Sequence, residues 1–301
     1  MNNSCIEPAG QRGAALVIVL WATVLLTIMA ASFSTTMRRE ATLTANIKAH
    51  SQAAALAEAG IYYAMLMNKD PEQRWGIDGQ VREFEFAGAQ IKIRIIPETG
   101  KIDLNYADQR TLVKLFESIE IDEVKASELA DAILDWRDKN ELYRLNGAER
   151  SEYEAAGKAY GPRNGPFETI EEVQLVLGMD AGIYTAIEDM ITIYAKKDKV
   201  NLKKAPFKVL RVFFDEQEMA EQELLDAAEE DGEKDMPADP VKQGVAYSFY
   251  SRVVLPDRQS GSLMIVAKYQ KNSRLGFSML RWKSGVADES LFTGQLAEIS
   301  D

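Results

Sequence analysis

Arg12-Gly13-Ala14-Ala15-Leu16-Val17-Ile18-Val19-Leu20-Trp21-Ala22-Thr23-Val24-Leu25-Leu26-Thr27-Ile28-Met29-Ala30-Ala31 is the stretch on which the reading of this chain turns. From Ala14 to Ala31 it is uncharged, and a run of that length crosses a bilayer as one helix. No Gly or Pro occurs from Ala14 to Ala59, so the helix is expected to continue as a rod of about 70 Å. A secretory signal peptide is cut after its apolar region at a small-residue site. None follows here, and the better cut lies before the run, after Gly13. An ordinary signal anchor is the other reading of the same hydropathy. Charge does not choose the orientation, because Glu7 and Arg12 cancel before the span whereas Arg38 and Arg39 follow it.

Beyond the span, the 301-residue chain is long enough for about two soluble domains of ordinary size. A net charge of -12 and a pI near 4.8 argue against sequence-independent binding to nucleic acid, which requires a basic surface. The sole cysteine, Cys5, precedes Gly13, so a chain cut there has no thiol for a disulfide.

Apolar positions Ile47, Ala54, Ala55, Ala59, Tyr62, Tyr63 and Leu66 fall mainly on one side of the continuing helix, suited to packing on a globular head. Val81 to Phe86 and Gln90 to Ile96 alternate apolar with polar around Gly88 and read as a β-hairpin. The periodicity then becomes helical from Ile102 to about Tyr194. One helix is expected around Leu112, Leu115 and Phe116, a second from Val124 to Trp136, a third from Ile170 to Leu177 and a fourth from Ile183 to Ile193. A further helix falls near Ala205 to Leu224. The acidic run Glu229 to Asp235, with Pro237 and Pro240 beyond it, reads as a solvated linker over about residues 228–243. Strand-like runs Val245 to Leu255, Ser262 to Tyr269 and Arg274 to Trp282 follow, and Gly285 to Asp301 is a polar tail. Strands, then about a hundred helical residues, then strands again predict an α+β head carrying a large inserted all-helical domain.

A weak internal repeat brackets the helical region: Ile102-Asp103-Leu104-Asn105-Tyr106-Ala107-Asp108 leading to Leu112, and Val200-Asn201-Leu202-Lys203-Lys204-Ala205-Pro206 leading to Leu210. Both read as an extended apolar pair followed by a helix start, with Asp108 and Pro206 suited to the first turn. Two unrelated strand-to-helix junctions would look the same.

The oxygen-bearing side chains of Asp138, Asn140, Glu141 and Glu149 lie in a loop broken by Asn146-Gly147, and hard cations such as Ca²⁺ bind in oxygen-rich loops of this kind. The EF-hand spacing is absent. The alternative is that Asp135 and Asp138 cap a helix end and pair with Arg137 and Arg144 at the surface. Val176-Leu177-Gly178-Met179-Asp180 looks like the turn of a helix-hairpin-helix module, but its neighbours Glu168, Glu171, Glu172, Asp180, Glu188 and Asp189 would repel a phosphate. No enzyme is visible. His50 is the only histidine, so Ser-His-Asp and Cys-His systems and His-rich zinc sites lack their parts. Trp21, Trp75, Trp136 and Trp282 are read as membrane or core anchors.

The amino-terminal arrangement resembles the prepilin family, in which a membrane prepilin peptidase cleaves after a Gly directly before the apolar helix. The resemblance implies cleavage between Gly13 and Ala14 and N-methylation of Ala14. Most members carry Glu as the fifth mature residue, where it counters the terminal amine of a neighbouring subunit. Here that position is Ile18. A carboxylate in lipid is kept where it has a partner, so a subunit without it fits the first position of a filament.

Gly100-Lys101-Ile102-Asp103-Leu104-Asn105, Asp135-Trp136-Arg137-Asp138 and Tyr160-Gly161-Pro162-Arg163-Asn164-Gly165-Pro166-Phe167, running on through Glu168 to Val173, narrow the resemblance to the K-type minor pseudopilins of type II secretion. It implies a pilin-like fold with a long N-terminal helix and an antiparallel sheet, divided as leader 1–13, helix and first strands 14–100, helical insert 101–199 and remaining head 200–301. It also implies a single-pass inner-membrane protein with its C-terminal region in the periplasm, Ca²⁺ in the insert, and a place at the pseudopilus tip. The partners implied are the I- and J-type minor pseudopilins and the inner-membrane secretion platform. The rival readings are a signal-anchored periplasmic binding protein unrelated to filaments and a minor pilin of a type IV pilus.

Overall fold

The computed structural model describes residues 12–69, 75–77, 79–142, 144–214, 218, 240–273, 275–285 and 291–292. Two compact units divide the chain, Met1–Gln52 and Ala53–Asp301. Helix α1 spans Arg12–Lys69, as the absence of helix breakers predicts. In the first unit its apolar side chains from Leu16 to Met29 are exposed, and this is a helix long and apolar enough to cross a membrane. Thr23 and Thr27 donate their hydroxyls to the carbonyls of Leu20 (2.8 Å) and Thr23 (2.7 Å), so neither needs a partner from outside the helix.

In the second unit the remaining turns of α1 bury Ala53, Ala57, Gly60, Ile61, Ala64 and Met65, a stripe at helical spacing made mostly of small residues. The small side chains permit close approach to a sheet. A Cβ on Gly60 would stand 2.9 Å from Ile91 Cγ2 and 3.0 Å from Ile93 Cδ1, and one on Gly261 would stand 2.8 Å from the Ala53 Cβ. The stripe expected from sequence is rotated around the helix from this one, since Ile47, Ala54, Ala55, Ala59, Tyr63 and Leu66 are exposed. That expectation follows large residues, whereas this contact selects small ones.

The sheet has five antiparallel strands. Strands β1 (Val81–Phe86) and β2 (Ala89–Pro97) form the expected hairpin through Ala87-Gly88, with Gly88 at φ 78°. After the intervening insert come β5 (Ala246–Val254), β6 (Ser260–Tyr269) and β7 (Phe277–Ser284), and the order across the sheet is β1-β2-β5-β6-β7. Central β5 is buried along nearly its whole length, whereas the edge strands β1 and β7 are largely half-buried or exposed. On β7, Trp282 is 47% exposed, so it is not the core anchor expected from composition.

Between β2 and β5 the chain builds a second core. Its elements are β3 (Ile102–Asp103), α2 (Gln109–Glu117), α3 (Glu123–Arg137), α4 (Arg150–Ala155), α5 (Ala181–Ile187), β4 (Ile191–Thr192) and α6 (Phe207–Phe213). They enclose Leu112, Leu115, Phe116, Leu129, Ile133, Trp136 and Tyr153, among others. Asp108, Asp122 and Asp180 cap α2, α3 and α5 by accepting from the backbone N–H of Thr111, Lys125 and Ile183.

The first two predicted helices stand where expected, and three other features differ. The third is a 3₁₀ turn over Glu171–Leu175, and the fourth ends at Ile187 because Ile191–Thr192 pairs in parallel with Ile102–Asp103. The insert is therefore helical with one short parallel strand pair, and α4 has too few residues to display a periodicity. The second copy of the expected repeat forms a 3₁₀ turn at Leu202–Lys204 before α6, so the resemblance between the copies is confined to the helix start. The helix predicted near Ala205 to Leu224 is described as Phe207–Phe213, and its remainder after 214 lies outside the described residues apart from 218. The acidic run Glu229 to Asp235, leader residues 1–11 and most of the tail also lie outside them.

Candidate functional site

Three short segments singled out in the sequence meet in space. Asn105 grips the backbone of Phe167 on both sides: its Nδ2 donates to the Phe167 carbonyl (3.0 Å) and its Oδ1 accepts from the Phe167 N–H (2.7 Å). Phe167 stacks on Trp136 with centroids 6.1 Å apart and an interplanar angle of 15°. The Trp136 indole N–H donates to Glu172 (3.0 Å), which also accepts from the Glu168 backbone (2.8 Å). Next to it, the Arg137 guanidinium donates to the carbonyls of Leu104 and Ala107, the latter at 2.6 Å. These bonds satisfy carbonyls at the turn before α2 and fix the end of α3 against it. Arg137 is thus a bridge within the insert, not the surface partner of Asp135 or Asp138.

The same helix end presents an acidic loop. Asp135 is buried, its Oδ2 accepts from the Arg144 N–H (3.1 Å), and its Oδ1 has no hydrogen-bond partner, the Arg144 Nε at 3.5 Å being too distant for one. Gly147 lies so near that a Cβ there would stand 1.9 Å from Asp135 Oδ2. Asp131, one turn back, accepts from Gln109 Nε2 (2.6 Å) and the Asn146 N–H (3.3 Å). Glu149 is buried, and its Oε1 likewise lacks a partner. Burial pushes its carboxyl up to about 7, and the negative charges of Asp135, Asp138, Glu141 and Glu152 push the same way. Burial also raises the Asp135 carboxyl.

The four ligands read from sequence occupy this loop unequally. Asp138, the C-cap of α3, accepts at Oδ1 from both the backbone N–H (3.0 Å) and the Nδ2 (2.8 Å) of Asn140. Asn140 Oδ1 in turn accepts from the Leu142 N–H (2.8 Å), so its amide is engaged at both ends. Glu141 is exposed. Among the described residues no group of three His, Cys, Asp or Glu side chains stands ready to hold a metal. The buried oxygens without a hydrogen bond, on Asp135 and Glu149, have the chemistry that a hard cation takes as ligands, and in that respect the donor set fits one.

A second buried group joins the insert to the sheet. Glu98 and Lys101, both almost inaccessible, pair at 2.8 Å. Lys101 Nζ also donates to Ser248 Oγ (2.9 Å) and the Tyr250 hydroxyl (3.2 Å) on β5. Glu98 accepts from the hydroxyls of Thr192 on β4 and Ser248. Burial alone would lower the Lys101 ammonium, but Glu98 and Tyr250 outweigh it and hold it above the usual lysine range. A further clamp runs from β7: Arg281 reaches Glu171 (2.5 Å) and Glu188 (2.7 Å), and Lys283 reaches Glu188 (2.5 Å). Lys101 falls within the first of the three motif segments, but its sequence context assigns it no role, and Glu98 lies outside all three. The available signal was a charged pair three residues apart within otherwise apolar sequence.

At the amino terminus Ile18 is exposed on α1, as are Trp21 and His50. Gly13 and Ala14 lie within the helix, and residues 1–11 before them are outside the described residues. The Val176 to Asp180 turn connects the 3₁₀ turn to α5, with Gly178 at φ 85°.

A family model described as "Type II secretion system (T2SS), protein K" matches residues 98–196, the stretch that holds the three converging segments. Over that stretch the chain is similar to the protein K family of type II secretion. The chain is 28% identical over 197 residues to the type II secretion system protein K of Klebsiella pneumoniae, covering 58% of this chain and 60% of that protein. It is 26% identical over 204 residues to the protein of the same name from Aeromonas hydrophila, covering 59% and 62%. The alignments thus span about three fifths of these protein K relatives. In fold, it is similar to a chain in the crystal structure of the GspK-GspI-GspJ complex from the enterotoxigenic Escherichia coli type 2 secretion system. The TM-score is 0.51 at 17% identity, covering 83% of this chain and 99% of that one. That likeness shows the fold, a pilin-like α+β fold with a long helix and an inserted domain.

Proposed function

We propose that this chain is a non-enzymatic minor pseudopilin that forms or caps the tip of a type II secretion pseudopilus and supports protein export across the outer membrane. The observation that carries the reading is the insert between β2 and β5: a pilin-like sheet and helix bear a separate buried core that ordinary stacking would have to accommodate. An exposed apolar helix supplies the membrane and filament element, with Ile18 in place of the charged residue usual at the fifth mature position. The partners in this reading are the I- and J-type minor pseudopilins, the similar structure being a GspK-GspI-GspJ complex, together with the prepilin peptidase and the inner-membrane platform. The chain then stands in the inner membrane by helix α1 with its C-terminal region in the periplasm. The test is the intact mass and amino-terminal sequence of protein from its native membrane. A start at N-methylated Ala14 supports the reading, and a start at Met1 in cells with active prepilin peptidase removes it.

The acidic loop is proposed to hold Ca²⁺, with Asp135 and Glu149 supplying their orphaned oxygens and Asp138, Asn140 and Glu141 as further ligands around it. The ion would add positive charge to a carboxylate group whose cationic partner is Arg144, 3.5 Å from Asp135. The chain's own part is to orient Asp135 through the Arg144 N–H and to keep Gly147 small enough for the carboxylate to enter.

A further inference from the structure

Asp131 and Asp135 lie one turn apart on the same face of α3, and both are buried. Beyond the helix the chain doubles back in a turn over residues 144–147, closed by the Gly147 N–H on the Arg144 carbonyl (3.0 Å). Each aspartate takes one backbone amide of that turn. Asp135 Oδ2 accepts from the Arg144 N–H at 3.1 Å, and Asp131 Oδ2 accepts from the Asn146 N–H at 3.3 Å. The turn is thereby laid along the end of α3, so close that residue 147 has room only for hydrogen. A Cβ there would stand 1.9 Å from Asp135 Oδ2 and 3.0 Å from the Arg144 nitrogen.

The two carboxylates differ in what remains free. Asp131 Oδ1 accepts from Gln109 Nε2 at 2.6 Å, so both of its oxygens are engaged and its plane is set from α2, of which Gln109 is the first residue. Asp135 Oδ1 and Glu149 Oε1 are buried without a hydrogen bond. Burial and, after it, the charge of Asp135 raise the Glu149 carboxyl, which places the two acids within reach of each other's field. Glu149 comes two residues after the turn, so the seat of the turn on α3 decides where Glu149 stands relative to Asp135. Outer partners of this kind orient the groups that touch a metal, and their loss costs about ten- to hundredfold in affinity.

We propose that Asp131 is a positioning residue for the calcium loop: oriented by Gln109, it holds the turn through the Asn146 N–H so that the free oxygens of Asp135 and Glu149 are presented to one ion. The inference rests on the calcium reading of this loop. It assigns Asp131 a hydrogen bond, not a ligand's place, and it makes α2 part of the metal's support although α2 contributes none of the proposed ligands.

The test is calorimetric titration with Ca²⁺ of the full chain in detergent, stripped of metal by chelator, with the melting midpoint of each metal-free protein taken alongside. Wild type, Glu149→Gln, Asp131→Ala, Asp131→Asn and Gln109→Ala are compared. Wild type binds, Glu149→Gln loses most of the affinity, and Asp131→Ala weakens binding by about ten- to hundredfold. Asp131→Asn recovers most of that loss, because an amide oxygen still accepts from the Asn146 N–H and the exposed Gln109 amide can turn to present its own oxygen. Gln109→Ala leaves the buried carboxylate in place and weakens binding by less than Asp131→Ala does; it decides the matter if Asp131→Ala fails to fold. No binding by wild type removes the calcium reading and this inference with it. Binding that falls in Glu149→Gln but is unchanged in Asp131→Ala, or in Gln109→Ala where Asp131→Ala does not fold, leaves calcium in place and overturns the role of Asp131. An Asp131→Asn variant as weak as Asp131→Ala overturns it too, since charge and not the hydrogen bond would then be the cause.

Discussion

Lys101→Met puts the joint between sheet and insert to a quantitative test. The substitution keeps an unbranched stem and removes the ammonium that touches Glu98, Ser248 and Tyr250 at 2.8, 2.9 and 3.2 Å. Glu98 would retain the hydroxyls of Thr192 and Ser248 but lose the cation bound to it, in a site from which water is excluded. Removing one member of a buried ion pair costs about 3–5 kcal/mol, because the other charge stays desolvated. At roughly 2–4 °C per kcal/mol for a unit of this size, the melting midpoint should fall by about 6–20 °C. The double variant Glu98→Gln/Lys101→Met removes both charges and should recover part of that loss, since an apolar substitute for a buried pair is often tolerated. The assay is thermal unfolding of the full chain in detergent, followed by tryptophan fluorescence, with Trp136 in the insert and Trp282 on the sheet. A loss below about 1 kcal/mol in Lys101→Met, or a double variant as unstable as the sum of the singles, would overturn this picture of the joint.

Three other outcomes are expected. Ile18→Glu keeps the protein membrane-bound but impairs initiation of the filament, read as reduced export; unchanged export would remove any special role for Ile18. Calcium raises the melting midpoint of wild type relative to chelator, by about 2.7 kcal/mol of stability at a hundredfold excess over Kd, and Glu149→Gln loses most of that shift; identical melts with and without the ion would dismiss the metal. The clamp at Glu188 responds to acid. Burial would raise that carboxyl, but hydrogen bonds from Lys283 and Arg281 outweigh it and hold it below its ordinary 4.5. Its contribution is therefore present above pH 4.5 and lost as pH falls through the lower folded value. Glu188→Gln should flatten the acid side of the stability curve, and equal acid sensitivity in both proteins would count against the clamp.

The hairpin around Gly88, the last strands and helices α2 and α3 were legible because each carries its own periodicity over six or more residues. Elements set by distant partners were not. Ile191–Thr192 is a strand because Ile102–Asp103 lies beside it, and no local pattern could announce a parallel pair about ninety residues apart. The buried stripe of α1 escapes the pattern rule because contact with the sheet at Gly60 and Ala53 favours small residues, while the rule follows large ones. In the acidic loop the spacing located Asp138, Asn140, Glu141 and Glu149, but it did not separate side chains engaged by neighbouring amides from those left unpartnered. That distinction depends on where the Arg144 and Leu142 N–H groups point. The Glu98–Lys101 pair was hidden for a similar reason, since two charged residues beside a Gly look solvated until β5 is laid over them.

Assembly with smaller prepilin-like subunits is read by purifying the chain from native membranes and taking the intact masses of whatever accompanies it. A stable complex with the I- and J-type minor pseudopilins in fixed proportion is expected. A chain that purifies alone, from cells shown to express those subunits, would contradict its assignment to the filament.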